Sequence, residues 1–145
     1  MNVTITEFEE GDKEALRNIY LEVRQRNFVW LNGTSFKLSS FDADTSGEYI
    51  MVARVHDKIA GFVSVWREDN FIHHLYVDNK YQNKGIGTQL LDKVIPTLQR
   101  PITLKCIKSN TQAIRFYLRN GWNPKSEAMS EDGAYILFEY TRDND

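Results

Sequence analysis

The residues with chemistry to offer gather in one part of the chain, between Phe71 and Gly121. Gln82-Asn83-Lys84-Gly85-Ile86-Gly87-Thr88 sets two glycines one residue apart among side-chain donors, just ahead of apolar residues at helical spacing. At a helix start the first backbone N–H groups have no intrahelical partner, the macrodipole is positive, and glycine lacks the Cβ that would hold an anion away. That arrangement suits phosphate. A Gly-x-Gly pair alone suits a tight strand-to-helix turn just as well. Immediately upstream, His73 and His74 interrupt the apolar run Phe71-Ile72-His73-His74-Leu75-Tyr76-Val77. Imidazole titrates near neutrality, so such a ring is either a proton carrier or a hydrogen-bonded core residue. Side chains of adjacent strand residues point to opposite faces, so strict alternation lets only one of the pair face a substrate. Cys106 sits in an apolar strand pattern with no motif around it and reads as a small core residue rather than a nucleophile. His56, His73 and His74 show no ligand spacing with acids or cysteines, so no metal is expected.

The elements that must position these groups follow from periodicity. Val3 and Ile5 alternate with threonines as a first strand, and Asp12 can cap a helix whose apolar face is Ala15, Leu16, Ile19, Tyr20 and Val23. From Asn27 to Ser46 the pattern is irregular, with Phe28, Trp30, Phe36 and Phe41 set among polar residues and the acids Asp42 and Asp44. A long loop with one short helix near Leu38 to Asp44 is expected there. Its aromatics either meet a cationic or aromatic ligand, with Glu48 adding a further acid, or seal one end of the core. Tyr49 to Val55 and Ile59 to Trp66 form a hairpin over His56-Asp57-Lys58, and Phe71 to Val77 follows as a strand apolar on both faces and therefore central. Ile86, Leu90, Leu91, Val94, Ile95 and Leu98 line one helix face, limited by Pro96 and Pro101. A strand over Ile102 to Ile107, a helix over Thr111 to Asn120 closed by Gly121, and a hairpin of Trp122 to Met129 with Ala134 to Tyr140 complete the chain. The order is βα(loop)βββαβαββ, an α/β fold with a mixed sheet and helices on both faces.

Composition narrows the class. At 145 residues and 41% apolar content, one globular domain spanning 1–145 has enough core to fold. A net charge of −2 without basic runs argues against nucleic acid or a polybasic membrane patch as partner. With one cysteine no intramolecular disulfide can form, and neither a signal peptide nor a membrane span is seen, so a cytoplasmic protein is expected.

Leu75-Tyr76-Val77 leading into Gln82-x-x-Gly85-x-Gly87, followed by Asn110, Ala113, Phe116-Tyr117 and Asn120-Gly121-Trp122, resembles the GNAT superfamily of acetyl-CoA-dependent N-acetyltransferases. The resemblance implies a central, mostly antiparallel sheet of about seven strands with about four helices. It also implies that the backbone from Gln82 through Asn83, Lys84, Gly85, Ile86 and Gly87 to Thr88 cradles the CoA pyrophosphate. Leu75, Tyr76 and Val77 would offer main-chain groups to the pantetheine arm, Asn110 would reach it, and Phe116 would pack beside it. Tyr117 matches the tyrosine placed near the CoA sulfur, and Asn120 with Gly121 is a helix stop.

The implied reaction is direct acetyl transfer to a primary amine in a ternary complex, without a protein nucleophile. The acceptor is expected to be a small or aromatic amine, with Phe28, Trp30 and His74 as its contacts. The alternatives are protein or peptide acetylation, and a CoA-binding GNAT fold without turnover. The protein is expected to act as a monomer or homodimer. Only the neutral amine attacks. At pH 7 a lysine-like amine must lose its proton at a cost of about 4 to 5 kcal/mol, against roughly 1.5 kcal/mol for an α-amino group. In arylalkylamine-acetylating members of the family, histidines on this strand take that proton, which makes His73, ahead of His74, the expected base. A main-chain N–H near Leu75 would hold the oxyanion. Tyr117 would donate a hydrogen bond to the departing thiolate, since full transfer from a phenol to a thiolate is uphill by about 2 kcal/mol at ordinary pKa values.

Overall fold

The computed structural model describes residues 2–27 and 40–142. Seven strands form one sheet: β1 (Val3–Glu7), β2 (Tyr49–Val55), β3 (Lys58–Trp66), β4 (Phe71–Val77), β5 (Ile102–Ile107), β6 (Asn123–Ser130) and β7 (Gly133–Tyr140). Their order is β1-β2-β3-β4-β5-β7-β6. Every neighbouring pair is antiparallel except β4 with β5. The helices are α1 (Lys13–Asn27), α2 (Ser40–Asp44), α3 (Ile86–Val94) and α4 (Thr111–Arg119). Both the GNAT-type fold and the element order expected from the sequence are found.

The two faces of the sheet carry separate cores. Leu16, Ile19, Tyr20 and Val23 of α1, with Phe41 of α2, cover Ile50, Val52 and Phe62. On the other face Ile86, Leu90, Leu91 and Val94 of α3 cover Ala53, Val55, Val63, Val65 and Ile72, with Ala113, Phe116 and Tyr117 of α4 beside them. The helical spacing that marked these residues in the sequence is therefore the spacing that buries them. Phe41 is 1% exposed in the core, so it seals that face and does not meet a ligand. α3 ends at Val94, four residues short of Leu98, and Pro96 lies in the single 3₁₀ turn over 95–97 that follows. The turn between β2 and β3 is His56-Asp57, both at positive φ, which is the two-residue hairpin geometry. Among the described residues no helix is long and apolar enough to cross a membrane.

β4 departs from alternation. Ser64 pairs with His74 and Val65 with Ile72, so β4 has one residue more than β3 over this step. His73 is that extra residue, a β-bulge. Beyond it the faces are exchanged: Ile72, Leu75 and Val77 meet the α3 core, while Tyr76 meets the α1 core. Simple alternation places Ile72 and Tyr76 on one face, and the bulge separates them. It also turns both histidine rings to the same side, their centroids 3.8 Å apart, which overturns the expectation that only one of the two could face a substrate.

Candidate active site

The bulged strand opens the sheet. β4 and β5 are in register only at Phe71 with Thr103 and Ile72 with Leu104. Past that point the two parallel strands diverge, and a cleft of about 840 Å³ opens between His73 to Val77 on one side and Lys105 to Ile107 on the other. Gln82, Asn83, Gly85, Ile86, Gly87 and Thr88 close one end of it, and Asn110, Phe116 and Tyr117 of the α4 region form a wall. All the expected cofactor-binding residues except Lys84 line this one cleft, as do His73 and His74. Phe28, Trp30 and Phe36 lie outside the described residues.

The loop residues do different work. Gly85 is the N-cap of α3 at φ +81, with open space where a Cβ would stand, so backbone conformation demands glycine there. At Gly87 a Cβ would come within 3.1 Å of the Phe116 ring. That glycine serves the packing of α3 against α4, which is the plainer of the two readings open for such a motif. The Gln82 amide donates to the Val77 carbonyl at 3.0 Å, tying loop to strand. Asn110 Oδ1 accepts from the Ala113 N–H at 3.1 Å and caps α4.

Tyr117 is held in aromatic contact with Phe116, Trp122 and Phe138. Burial, reinforced by Cys106 and Tyr76, drives its phenol far above the ordinary range, so it keeps its proton and has an O–H to donate. Burial likewise pushes the Cys106 thiol up to about 11, which suits a core residue and not a nucleophile.

His74 is 7% exposed and held at both ring nitrogens. Tyr20 gives its hydroxyl proton to Asp44 at 2.5 Å. The same oxygen accepts from Arg24 at 3.1 Å and stands 3.2 Å from His74 Nε2. With its proton committed, Tyr20 can only accept from His74, so Nε2 carries the hydrogen. Nδ1 then presents its lone pair to the Ser64 hydroxyl at 2.9 Å. Burial, with the charges of His73 and Arg24 adding to it, holds the His74 pKa well below its ordinary value, so the ring is neutral.

His73 differs. Its side chain is 41% exposed, and Nδ1 meets Glu48 Oε2 at 2.5 Å. Glu48 is itself only 6% exposed, and its other oxygen, Oε1, is buried without a hydrogen-bond partner, 3.9 Å from His74 Nδ1. The expectation of no metal ligand set rested on the lack of ligand spacing between His56, His73 or His74 and acids or cysteines in the sequence. The structure instead brings Glu48 to His73 and His74, with a donor atom of each within 4.8 Å of the others. Ser64 and Tyr20 were not readable as site residues, and Glu48 only as a further acid beside the loop aromatics, because no local pattern ties any of them to β4. Of the loop acids, Asp42 is engaged by Arg17 and Lys13, and Asp44 by Tyr20.

The parallel pair splayed beside a glycine-started helix defines a class of fold, and comparison with known proteins assigns it. The Acetyltransferase (GNAT) family model matches residues 11–122, and the chain belongs to that family. Among solved structures, apo YjaB from Escherichia coli is 17% identical with a TM-score of 0.81, over 97% of this chain and 98% of that one. YncA, a putative acetyltransferase from Salmonella typhimurium solved with acetyl-CoA, is 18% identical with a TM-score of 0.75, covering 100% of this chain and 96% of that one. The PaiA N-acetyltransferase of Thermoplasma acidophilum, in complex with coenzyme A, is 16% identical with a TM-score of 0.77, covering 97% and 100%. At these identities the likeness is one of fold.

Proposed function

We propose that this protein is an N-acetyltransferase that moves an acetyl group from acetyl-CoA directly to a small or aromatic primary amine within a ternary complex. One observation carries the reading: the cleft between the diverging strands has His73 and Tyr117 on its walls and the glycine-started helix at its end. The chain fits the cofactor. First-turn N–H groups of α3 suit the pyrophosphate, and the edge of β4 past Ile72, which has no register partner on β5, offers main-chain groups to an extended arm. Acetyl-CoA supplies the activated thioester.

The chain's own residues divide the remaining work. Glu48 holds His73 by Nδ1, which leaves Nε2 to take the proton of the acceptor amine. His74, neutral and bonded at both nitrogens, is a poorer base and orients the strand through Tyr20 and Ser64. Main-chain N–H groups around Leu75 meet the negative charge that develops on the carbonyl oxygen. Tyr117 donates to the developing thiolate. Because burial raises its phenol still further above a thiol, hydrogen bonding and not full proton transfer is its part. Phe71, whose ring centroid lies 6.0 Å from that of His73, gives the acceptor end an aromatic wall, which supports a small or aromatic amine over a peptide.

The test is release of CoA thiol across a panel of aryl, alkyl and peptide amines. Turnover is expected with small or aromatic amines. His73→Ala is expected to lower kcat about 10²- to 10⁴-fold and to remove the basic-form dependence of its pH profile. CoA binding without thiol release for every amine would refute the enzyme, and an unchanged rate and pH profile in His73→Ala would refute the base.

A further inference from the structure

Glu48 Oε1 and His74 Nδ1 face each other as two acceptors. The carboxylate oxygen has no hydrogen-bond partner and is sealed from solvent, and the imidazole nitrogen, with the hydrogen fixed on Nε2 by Tyr20, holds a lone pair met by the Ser64 hydroxyl and by nothing from Glu48. Two facing acceptors with no donor between them repel, and a cation relieves this. The third group, His73, reaches the same point because of the bulge, its ring 3.8 Å from that of His74. We infer that Glu48, His73 and His74 form a binding site for a divalent transition-metal ion of the zinc type, a site separate in kind from the acetyl-transfer chemistry although it uses the same histidine.

The donor set suits such an ion. Two imidazoles and one carboxylate are ligands that zinc accepts, at about 2.0 to 2.2 Å, with a fourth position left to solvent. Tetrahedral ligands at those lengths stand roughly 3.4 Å from one another. The present separations, 2.5 Å from Glu48 Oε2 to His73 Nδ1 and 3.9 Å from Glu48 Oε1 to His74 Nδ1, lie on either side of that value, and one donor atom of each residue lies within 4.8 Å of the others. His73, the exposed member, has the freedom to swing outward. The hydrogen now held between its Nδ1 and Glu48 would pass through solvent to Nε2 as the metal replaces it at Nδ1, so the ring stays neutral. His74 is the preformed member. Its Nε2–H is donated to Tyr20, whose own proton is anchored on Asp44, which is the outer support that ligating histidines usually have. The Ser64 hydroxyl turns aside to release Nδ1. A protonated organic amine carries a bulky substituent and would have to bring it to a carboxylate oxygen closed to solvent. A bare ion needs no such room.

Metal on Nδ1 would leave Nε2 carrying the hydrogen and unable to accept the amine proton, so wherever the proposed acetyl transfer holds, the ion is its inhibitor. Binding itself does not rest on that reading and is measured apart from turnover. Chelator-treated protein is titrated with zinc by calorimetry, and with cobalt(II) by its visible absorption, without acetyl-CoA or amine. One ion per chain is expected, with a tetrahedral cobalt spectrum. Glu48→Gln and His73→Ala should each weaken binding by at least about tenfold, the lower end of what loss of even an outer partner costs, while His56→Ala should leave it unchanged. His73 is half exposed, so its variant is expected to fold, and circular dichroism checks both. The inference is overturned if the wild-type protein takes up no ion at millimolar metal, or if Glu48→Gln and His73→Ala bind as tightly as wild type.

Discussion

The two faces of the sheet are built from different materials. Directly under α3 the core is aliphatic, with Leu90, Val94, Val63 and Val65 all 0% exposed, and Trp122 and Phe138 join it toward β7. Against α1 it is aromatic and partly polar. Tyr20, Phe41 and Phe62 meet edge to face or tilted at 5.5 to 6.4 Å, and Ser64 and His74 are buried among them. Under α3 stability comes from contact area. The aromatic face also closes a hydrogen-bond chain, Asp44–Tyr20–His74–Ser64, that leads to the bulge and to His73. The polar chain that fixes His74 and leads to His73 thus lies on the α1 face, while Tyr117 and the start of α3 reach the cleft from the other.

Substitutions on the two faces should separate these roles. Leu90→Ala, on the α3 side, removes a fully buried side chain and is expected to cost about 2 to 5 kcal/mol in denaturant unfolding, with the amine dependence of turnover retained in the folded fraction. Tyr20→Phe keeps the ring but leaves the His74 Nε2–H and Asp44 without their shared partner. About 1 to 3 kcal/mol is expected. Here a second signal should appear that Leu90→Ala lacks: nitrogen chemical shifts of His74 should show the Nδ1–H tautomer, since nothing holds the hydrogen on Nε2 any longer. If Tyr20→Phe leaves that tautomer untouched, the polar chain does not orient the site and the contrast between the faces fails.

What could be read from the sequence was what repeats locally. The apolar spacing of α1, α3 and α4 survived unchanged into the two cores, because a helix has one period and one buried stripe. Gln82 to Thr88 and Asn110 to Tyr117 likewise converge because each motif is contiguous and the elements between them are regular. The bulge was not legible. It arises from pairing between β3 and β4, and a single added residue leaves no mark on the strand that contains it, yet it reverses the facing of every residue from His74 onward. Glu48 was missed as the partner of His73 for a related reason. Its partner on β4 stands 25 residues away, and no spacing rule connects a residue at the start of one strand to the middle of another two places along the sheet.

The smallest effect, and the most specific to the aromatic face, is on pH. His74 is held neutral by burial, so its pKa in the folded protein is well below the ordinary 6.5 that it regains when unfolded. Between those two values the unfolded chain binds a proton that the folded chain does not, so stability falls as pH drops below about 6.5. One such group gives a slope approaching about 1.4 kcal/mol per pH unit. In wild-type protein, unfolding free energies measured from pH 7 to 5 should therefore decline. His74→Gln has no proton to take up and should flatten that decline, even though it is less stable than wild type at pH 7. Leu90→Ala, by contrast, should lie lower at every pH and run parallel to wild type, because an aliphatic side chain shifts the curve without tilting it. Parallel curves for all three would mean that His74 carries no buried protonation penalty, and that the two faces differ in composition only.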